Sequence, residues 1–166
     1  GWAVFRLPSS ANFSLGALYH TQDGGASWQA LPEPPSPALN FVTAQQGWAL
    51  GGPLGDALYR TLDGGLSWVE QGLPTADLAG QAFYALPVFD DPQNGALAVT
   101  VLESSFTRLN LYASTDGGAT WALQGRVAVQ AAGLDSPLPA VQLDAQHAWV
   151  ADPSGGLYIT ADGGRT

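Results

Sequence analysis

Apolar residues in this chain come in short β-favouring runs separated by clusters of glycine, proline and aspartate, and no stretch keeps a helical period. The pattern predicts strands, four to a repeating unit. In the second unit they are expected over Ala38–Ala44, Gly47–Gly51, Ala57–Thr61 and Ser67–Gln71, and in the third over Ala82–Phe89, Ala96–Leu102, Leu109–Ser114 and Thr120–Val127. The first unit offers only Trp2–Phe5, Ala17–Thr21 and Ser27–Leu31, and the last only Val141–Leu143, Ala148–Ala151 and Gly156–Thr160. Prolines gather between units, at Pro32, Pro34, Pro35 and Pro37, at Pro74, and at Pro137 and Pro139. Proline removes a ladder donor and fixes φ, so these segments are read as crossings from one unit's outer strand to the next unit's inner strand.

One phrase recurs inside this pattern. Leu18-Tyr19-His20-Thr21-Gln22-Asp23-Gly24-Gly25-Ala26-Ser27-Trp28 returns as Leu58 to Trp68 and as Leu111 to Trp121, and a fourth copy runs from Leu157 through Asp162-Gly163-Gly164 to Thr166. The aspartates are spaced by 40, 53 and 46 residues, a period that marks stacked supersecondary units. Leu-Tyr-x-Thr favours a strand, Asp-Gly-Gly a tight turn with glycines at positive φ, and Ser/Thr-Trp the start of the returning strand. Each copy is therefore expected to be a β-hairpin, with the carboxylate accepting hydrogen bonds from its own turn and a largely buried Trp pinning the hairpin down.

The pattern [Ser/Thr]-x-Asp-x-Gly-x-[Ser/Thr]-Trp resembles the Asp-box, or BNR repeat, of sialidases, sortilin-type receptors, xyloglucan-cleaving hydrolases and bacterial propellers. A second phrase precedes each box: Gly1-Trp2-Ala3-Val4, Gly47-Trp48-Ala49-Leu50 and His147-Ala148-Trp149-Val150, with His147 read in the place of the glycine and Gly95-Ala96-Leu97-Ala98 standing there in the third unit. With the preceding strands Leu39-Asn40-Phe41-Val42-Thr43 and Ala140-Val141-Gln142-Leu143-Asp144, the combination looks like the photosystem II assembly and stability factor family and its bacterial relatives. The resemblance implies an all-β propeller segment of about four four-stranded blades, two complete and two partial. A single array over 1–166 is expected, with a partial blade at 1–31, blades at 38–71 and 82–127, and a partial blade at 140–166. Because the chain opens within a strand phrase and closes inside a box, it is read as part of a larger propeller, with open ends that invite the rest of the ring or self-association.

Composition narrows the functional classes. With 46% hydrophobic residues in 166, there is material for a substantial core, and no run approaches the length of a membrane span. Cysteine and methionine are absent, which excludes disulfides, a thiol nucleophile and a cysteine-based metal site. Five basic residues, all arginine, face fourteen acidic ones for a formal charge of −9, so neither nucleic acid nor an anionic membrane is an expected partner.

Candidate chemistry is weighed against this frame. The structural Asp-box positions are Asp23, Gly25 and Trp28; Asp63, Gly65 and Trp68; Asp116, Gly118 and Trp121; and Asp162 and Gly164. Placed identically in successive units, their carboxylates are expected to stay apart rather than converge as acid/base pairs or cation cages do. Phe5-Arg6-Leu7-Pro8 resembles the phrase that carries one sialidase arginine but stands in a second-strand position, which leaves Arg6 as an anion-contact candidate. Arg60 is expected to be exposed on a blade strand, Arg108 to sit in a hairpin and Arg126 on an outer strand; Asp90, Asp91, Glu103, Asp144 and Asp152 are loop carboxylates with no selected pair. His20 and His147 occupy different units, and no cofactor or metal is expected. The expectation is a non-catalytic, extracytoplasmic scaffold that binds protein or carbohydrate across a propeller face. The alternative is a glycoside hydrolase of exo-sialidase or xyloglucanase type, which needs an arginine triad or facing carboxylates.

Overall fold

Short β-favouring runs cut by turn residues fold as meanders, in which each strand pairs with the next across a tight connection. This computed structural model describes residues 1–5, 16–74, 80–104, 106–129, 140–151 and 154–165. They form fifteen antiparallel strands in four sheets, with no helix among the described residues. The chain divides into two units, Gly1–Gln71 and Gly72–Thr166, each holding two sheets.

In the first unit, β1 (Trp2–Phe5), β2 (Ala17–His20) and β3 (Gln29–Ala30) make a three-stranded sheet. A four-stranded sheet follows: β4 (Leu39–Phe41), β5 (Gly47–Gly51), β6 (Ala57–Thr61) and β7 (Val69–Glu70). Both last strands are shorter than the sequence predicts. Prolines follow closely, and beyond each strand the ladder adds only the Leu31 N–H to the Leu18 carbonyl at 2.8 Å and the Gln71 N–H to the Leu58 carbonyl at 2.7 Å. Strand β4 stops at Phe41 because the chain then turns, the Thr43 hydroxyl accepting from the Gln45 and Gln46 N–H groups. The two sheets meet on Trp2, whose ring stacks on Phe41 at 3.9 Å and whose indole N–H donates to the Gly64 carbonyl at 3.1 Å.

The second unit holds the longest strands, β10 (Gly95–Leu102), β11 (Thr107–Ser114) and β12 (Ala122–Val129). The expected single strand over 82–89 is two, β8 (Gln81–Tyr84) and β9 (Val88–Phe89), both paired with β10. Pro87 between them has no N–H to give the ladder. A bulge at Gln124 shifts the β11–β12 register, so that Leu111 faces Gly125 and Tyr112 faces Leu123. The last sheet, β13 (Ala140–Gln142), β14 (Ala148–Ala151) and β15 (Leu157–Thr160), has three strands. Ala98, Leu109 and Leu111 from one sheet bury against Ala148 and Val150 from the other. Burial of these aliphatic side chains, at about 25 cal/mol per Å² of apolar surface, is the main force holding the pair together.

Candidate functional site

The four boxes fold alike down to individual atoms. In each, the hydroxyl two residues before the aspartate (Thr21, Thr61, Ser114 or Thr160) donates to the aspartate Oδ1 at 2.8 Å. The same oxygen accepts the N–H of the second glycine, Gly25, Gly65, Gly118 or Gly164, at 2.8–2.9 Å. These four hydroxyl residues are buried, while the Ser or Thr after the turn closes the motif from outside. Ser27, Ser67 and Thr120 each give the carboxylate two bonds, from N–H to Oδ1 at 2.9 Å and from the hydroxyl to Oδ2 at 2.5–2.6 Å. In the fourth box the Arg165 N–H donates to Asp162 Oδ1 at 3.0 Å, and Thr166, which stands where Ser27, Ser67 and Thr120 stand, lies outside the described residues. Both glycines of every box lie at positive φ, which an L side chain resists.

This bonding sets the electrostatics of the turns. The hydroxyl and N–H of Ser67 hold Asp63 at about 2, and those of Thr120 hold Asp116 at about 2. The Ser27 hydroxyl and N–H push Asp23 well below the ordinary carboxylate range. A carboxylate with depressed pKa and all its strong donors in its own turn is a poor proton donor or base near neutrality.

A second turn repeats in phase with the box. Thr43, Asp91 and Asp144 each cap the turn before the middle strand: Asp91 Oδ1 accepts from the Gln93 and Asn94 N–H groups, and Asp144 Oδ1 from those of Gln146 and His147. The carbonyls of Gln45, Gln93 and Gln146 then accept the N–H of the first box glycine, Gly64, Gly117 or Gly163, at 2.8–2.9 Å. Two turns at one end of a sheet are thereby latched. The in-phase glutamine, two residues before Gly47, Gly95 and Ala148, is the sequence signal for this latch. Pairing also corrects the reading of His147. Ala148 pairs with Thr160 as Gly47 does with Thr61, so Ala148 holds the glycine's place. His147 stands where Gln46 and Asn94 stand, with Nδ1 2.9 Å from the Asp144 carboxylate.

The boxes do not share one degree of burial, contrary to the expectation from sequence. Trp121 is buried and Trp68 half-buried, but Trp28 is 46% exposed. Phe41 packs edge-on to Trp68, and Phe89 to Trp121, each at 6.0 Å. In the first sheet the phenylalanine on a described strand, Phe5, packs edge-on to Tyr19 at 5.5 Å instead, and the Trp28 indole N–H turns to the Gly25 carbonyl at 3.1 Å.

Other candidates are dispersed among structural contacts. Arg60 is half-buried, not exposed, with its guanidinium 5.4 Å from the centre of the Trp48 ring. Arg108 lies on β11 near the tip of the β10–β11 hairpin, as expected, and pairs with Glu103 at 2.6 Å. Asp91 and Asp144 are consumed by their turns, which lower both pKa values, through Asn94 foremost for Asp91 and the Gln146 N–H foremost for Asp144. His20 faces Trp2 with ring centres 4.9 Å apart. Arg6 and Asp152 lie outside the described residues. Among the described residues no three His, Asp or Glu side chains gather as metal ligands.

An open depression of about 510 Å³ lies between β11–β12 and β14–β15, lined on the last sheet by Trp149, Leu157 and Ile159, with Arg126 and Arg165 also on its walls. Leu157 and Ile159 are 64% and 61% exposed.

Comparison with known proteins agrees with this geometry. The family described as BNR/Asp-box repeat matches residues 112–123. No curated protein matches the chain. Among solved structures, YCF48 from Cyanidioschyzon merolae superposes with a TM-score of 0.50 at 17% identity, over 99% of this chain and 41% of that one. The chain thus spans about two-fifths of the length of that protein, and its all-β blades have the fold of an Asp-box β-propeller.

Proposed function

We propose that this chain, a set of Asp-box blades with the β-propeller fold, is a non-catalytic scaffold that offers a blade surface to a protein partner. The observation that carries this reading is the use of its most repeated polar groups. Asp23, Asp63 and Asp116 are each bonded by a hydroxyl before the turn and by both the N–H and the hydroxyl of the residue after it. Groups committed in this way hold blades together and leave recognition to surfaces between and beyond them. Similarity in fold to YCF48 supports a scaffold or assembly role, and an extracytoplasmic setting is part of the same proposal. Carbohydrate is the second class of ligand this reading admits, since aromatic and arginine side chains on blade surfaces suit sugars as well as peptides.

Hydrolysis assays test the non-catalytic part. The chain is expected to leave fluorogenic sialosides and β-glucan oligosaccharides intact. Turnover lost on Arg6→Ala would promote a sialidase-type site in its place, and turnover insensitive to that change would point to the loop carboxylates.

A further inference from the structure

The tyrosine and tryptophan of the box are used differently in the second and third sheets. Residues paired across antiparallel strands put their side chains on one face, so the partner of the tyrosine decides what stands beside its ring. In the third sheet that partner is Leu123, and Tyr112 and Trp121 are buried at 1% and 5% exposure. In the second sheet it is Glu70, exposed on β7, and Tyr59 and Trp68 are only half-buried. The two rings line one wall of an open groove of about 420 Å³, and the connection at 32–35 between β3 and β4 lines the other. Both walls are stiff. A Cβ at Gly51 would lie 2.6 Å from Tyr59 Cε2 and 3.3 Å from Pro35 Cβ, so the tyrosine ring is seated on backbone beside a proline of the facing wall, where three prolines fix φ.

Charge selects what this groove can hold. Glu33 on one wall and Glu70 beside Tyr59 are exposed carboxylates, and neither has an ion-pair or hydrogen-bond partner among the described residues. The arginines are engaged elsewhere. Arg60, next to Tyr59 on β6, turns to the other face and lies over the Trp48 ring, Arg108 pairs with Glu103, and Arg165 donates to Gln124. We infer that the groove between Tyr59, Trp68 and the connection at 32–35 receives a cationic side chain, arginine or lysine, of a protein partner. Aromatic faces attract a cation, a guanidinium can lie flat on a ring while donating to a carboxylate beside it, and a chain of formal charge −9 draws such a partner in. An oligosaccharide would also stack on the rings, but only a cation answers two uncompensated carboxylates. The inference rests on the scaffold reading above and names its surface; hydrolysis assays test that reading, and binding at the groove is tested separately.

Hexa-arginine, hexaglutamate and cellohexaose serve as probes, each titrated into the isotope-labelled chain at about 0.15 M salt, where general attraction to the net charge is largely screened. The indole N–H resonance of Trp68, assigned by its loss in Trp68→Phe, reports on the groove. Hexa-arginine should shift it saturably, and the other two probes should leave it in place. Glu33→Gln and Glu70→Gln should each weaken hexa-arginine by about fivefold with the circular dichroism unchanged. Asp90→Asn removes the same charge from an exposed position in the second unit, and should change the affinity by less than about twofold. Equal losses in all three variants, or binding that leaves the Trp68 resonance unmoved, would mean attraction to net charge alone and would overturn the inference while leaving the scaffold reading in place. A Trp68 shift with cellohexaose and none with hexa-arginine would overturn it in favour of a sugar.

Discussion

At the scale of the residue, the Asp-box depends on a hydroxyl as much as on the carboxylate that names it. Thr61 is 1% exposed and accepts the Gly65 N–H while donating to Asp63. Removing it strands a buried donor, and Thr61→Ala is expected to cost about 1–3 kcal/mol. Asp63→Ala should cost less, since the donors it abandons are exposed and find water. Urea melts of the two variants check the order. A linked expectation concerns acid: Asp63 and Asp116 bind protons at about 2 when folded, against 3.8 for the free group. Their contribution is therefore fully present above about pH 4 and is lost as pH falls toward 2, because the unfolded chain takes up protons first. Midpoints in urea should fall across that window, less steeply in Asp63→Asn, and equal slopes in both proteins would contradict the assignment.

At the scale of the element, blades are joined by backbone approaching backbone. A Cβ at Gly125 would lie 2.2 Å from the Gly164 carbonyl oxygen, so the box turn of the last sheet rests directly on the bulged strand β12. Gly125→Ala is expected to destabilise the second unit by at least about 2 kcal/mol, since the obstacle is backbone and cannot rotate away. Gly72→Ala, where no described atom lies within 4 Å of the added Cβ, should stay within about 0.5 kcal/mol. The tryptophans divide in the same manner. Trp121→Ala should cost about 3–5 kcal/mol as a buried aromatic truncation, and Trp28→Ala well under half of that, given its 46% exposure. Equal losses in thermal melts would mean that burial in the blade does not set the worth of a box tryptophan.

At the scale of the whole molecule, protection should follow the lengths of the ladders. Strands β10 and β11 share eight residue pairs and carry most of the buried side chains of the second unit, so their amides should exchange slowest. Strands β3 and β7 have two residues each, all exposed, and should exchange early. Uniform protection along the chain would remove this ranking.

Turn chemistry and short-range pattern were legible in the residues themselves, because they depend on local φ, on missing ladder donors and on side chains reaching two to four residues away. Asp-Gly-Gly required positive φ wherever it occurred, the middle strands needed only their apolar runs, and Pro87 carried the reason for the split strand in its missing N–H. Tertiary structure alone decided the rest. Identical boxes gave a buried Trp121 and an exposed Trp28, since burial belongs to the neighbouring phenylalanine strand and not to the box. Identical leucines gave a covered Leu111 and an open Leu157, since the cover is another blade's turn. Repetition in sequence makes every blade locally alike; what lies beside each blade makes one a core and another a surface.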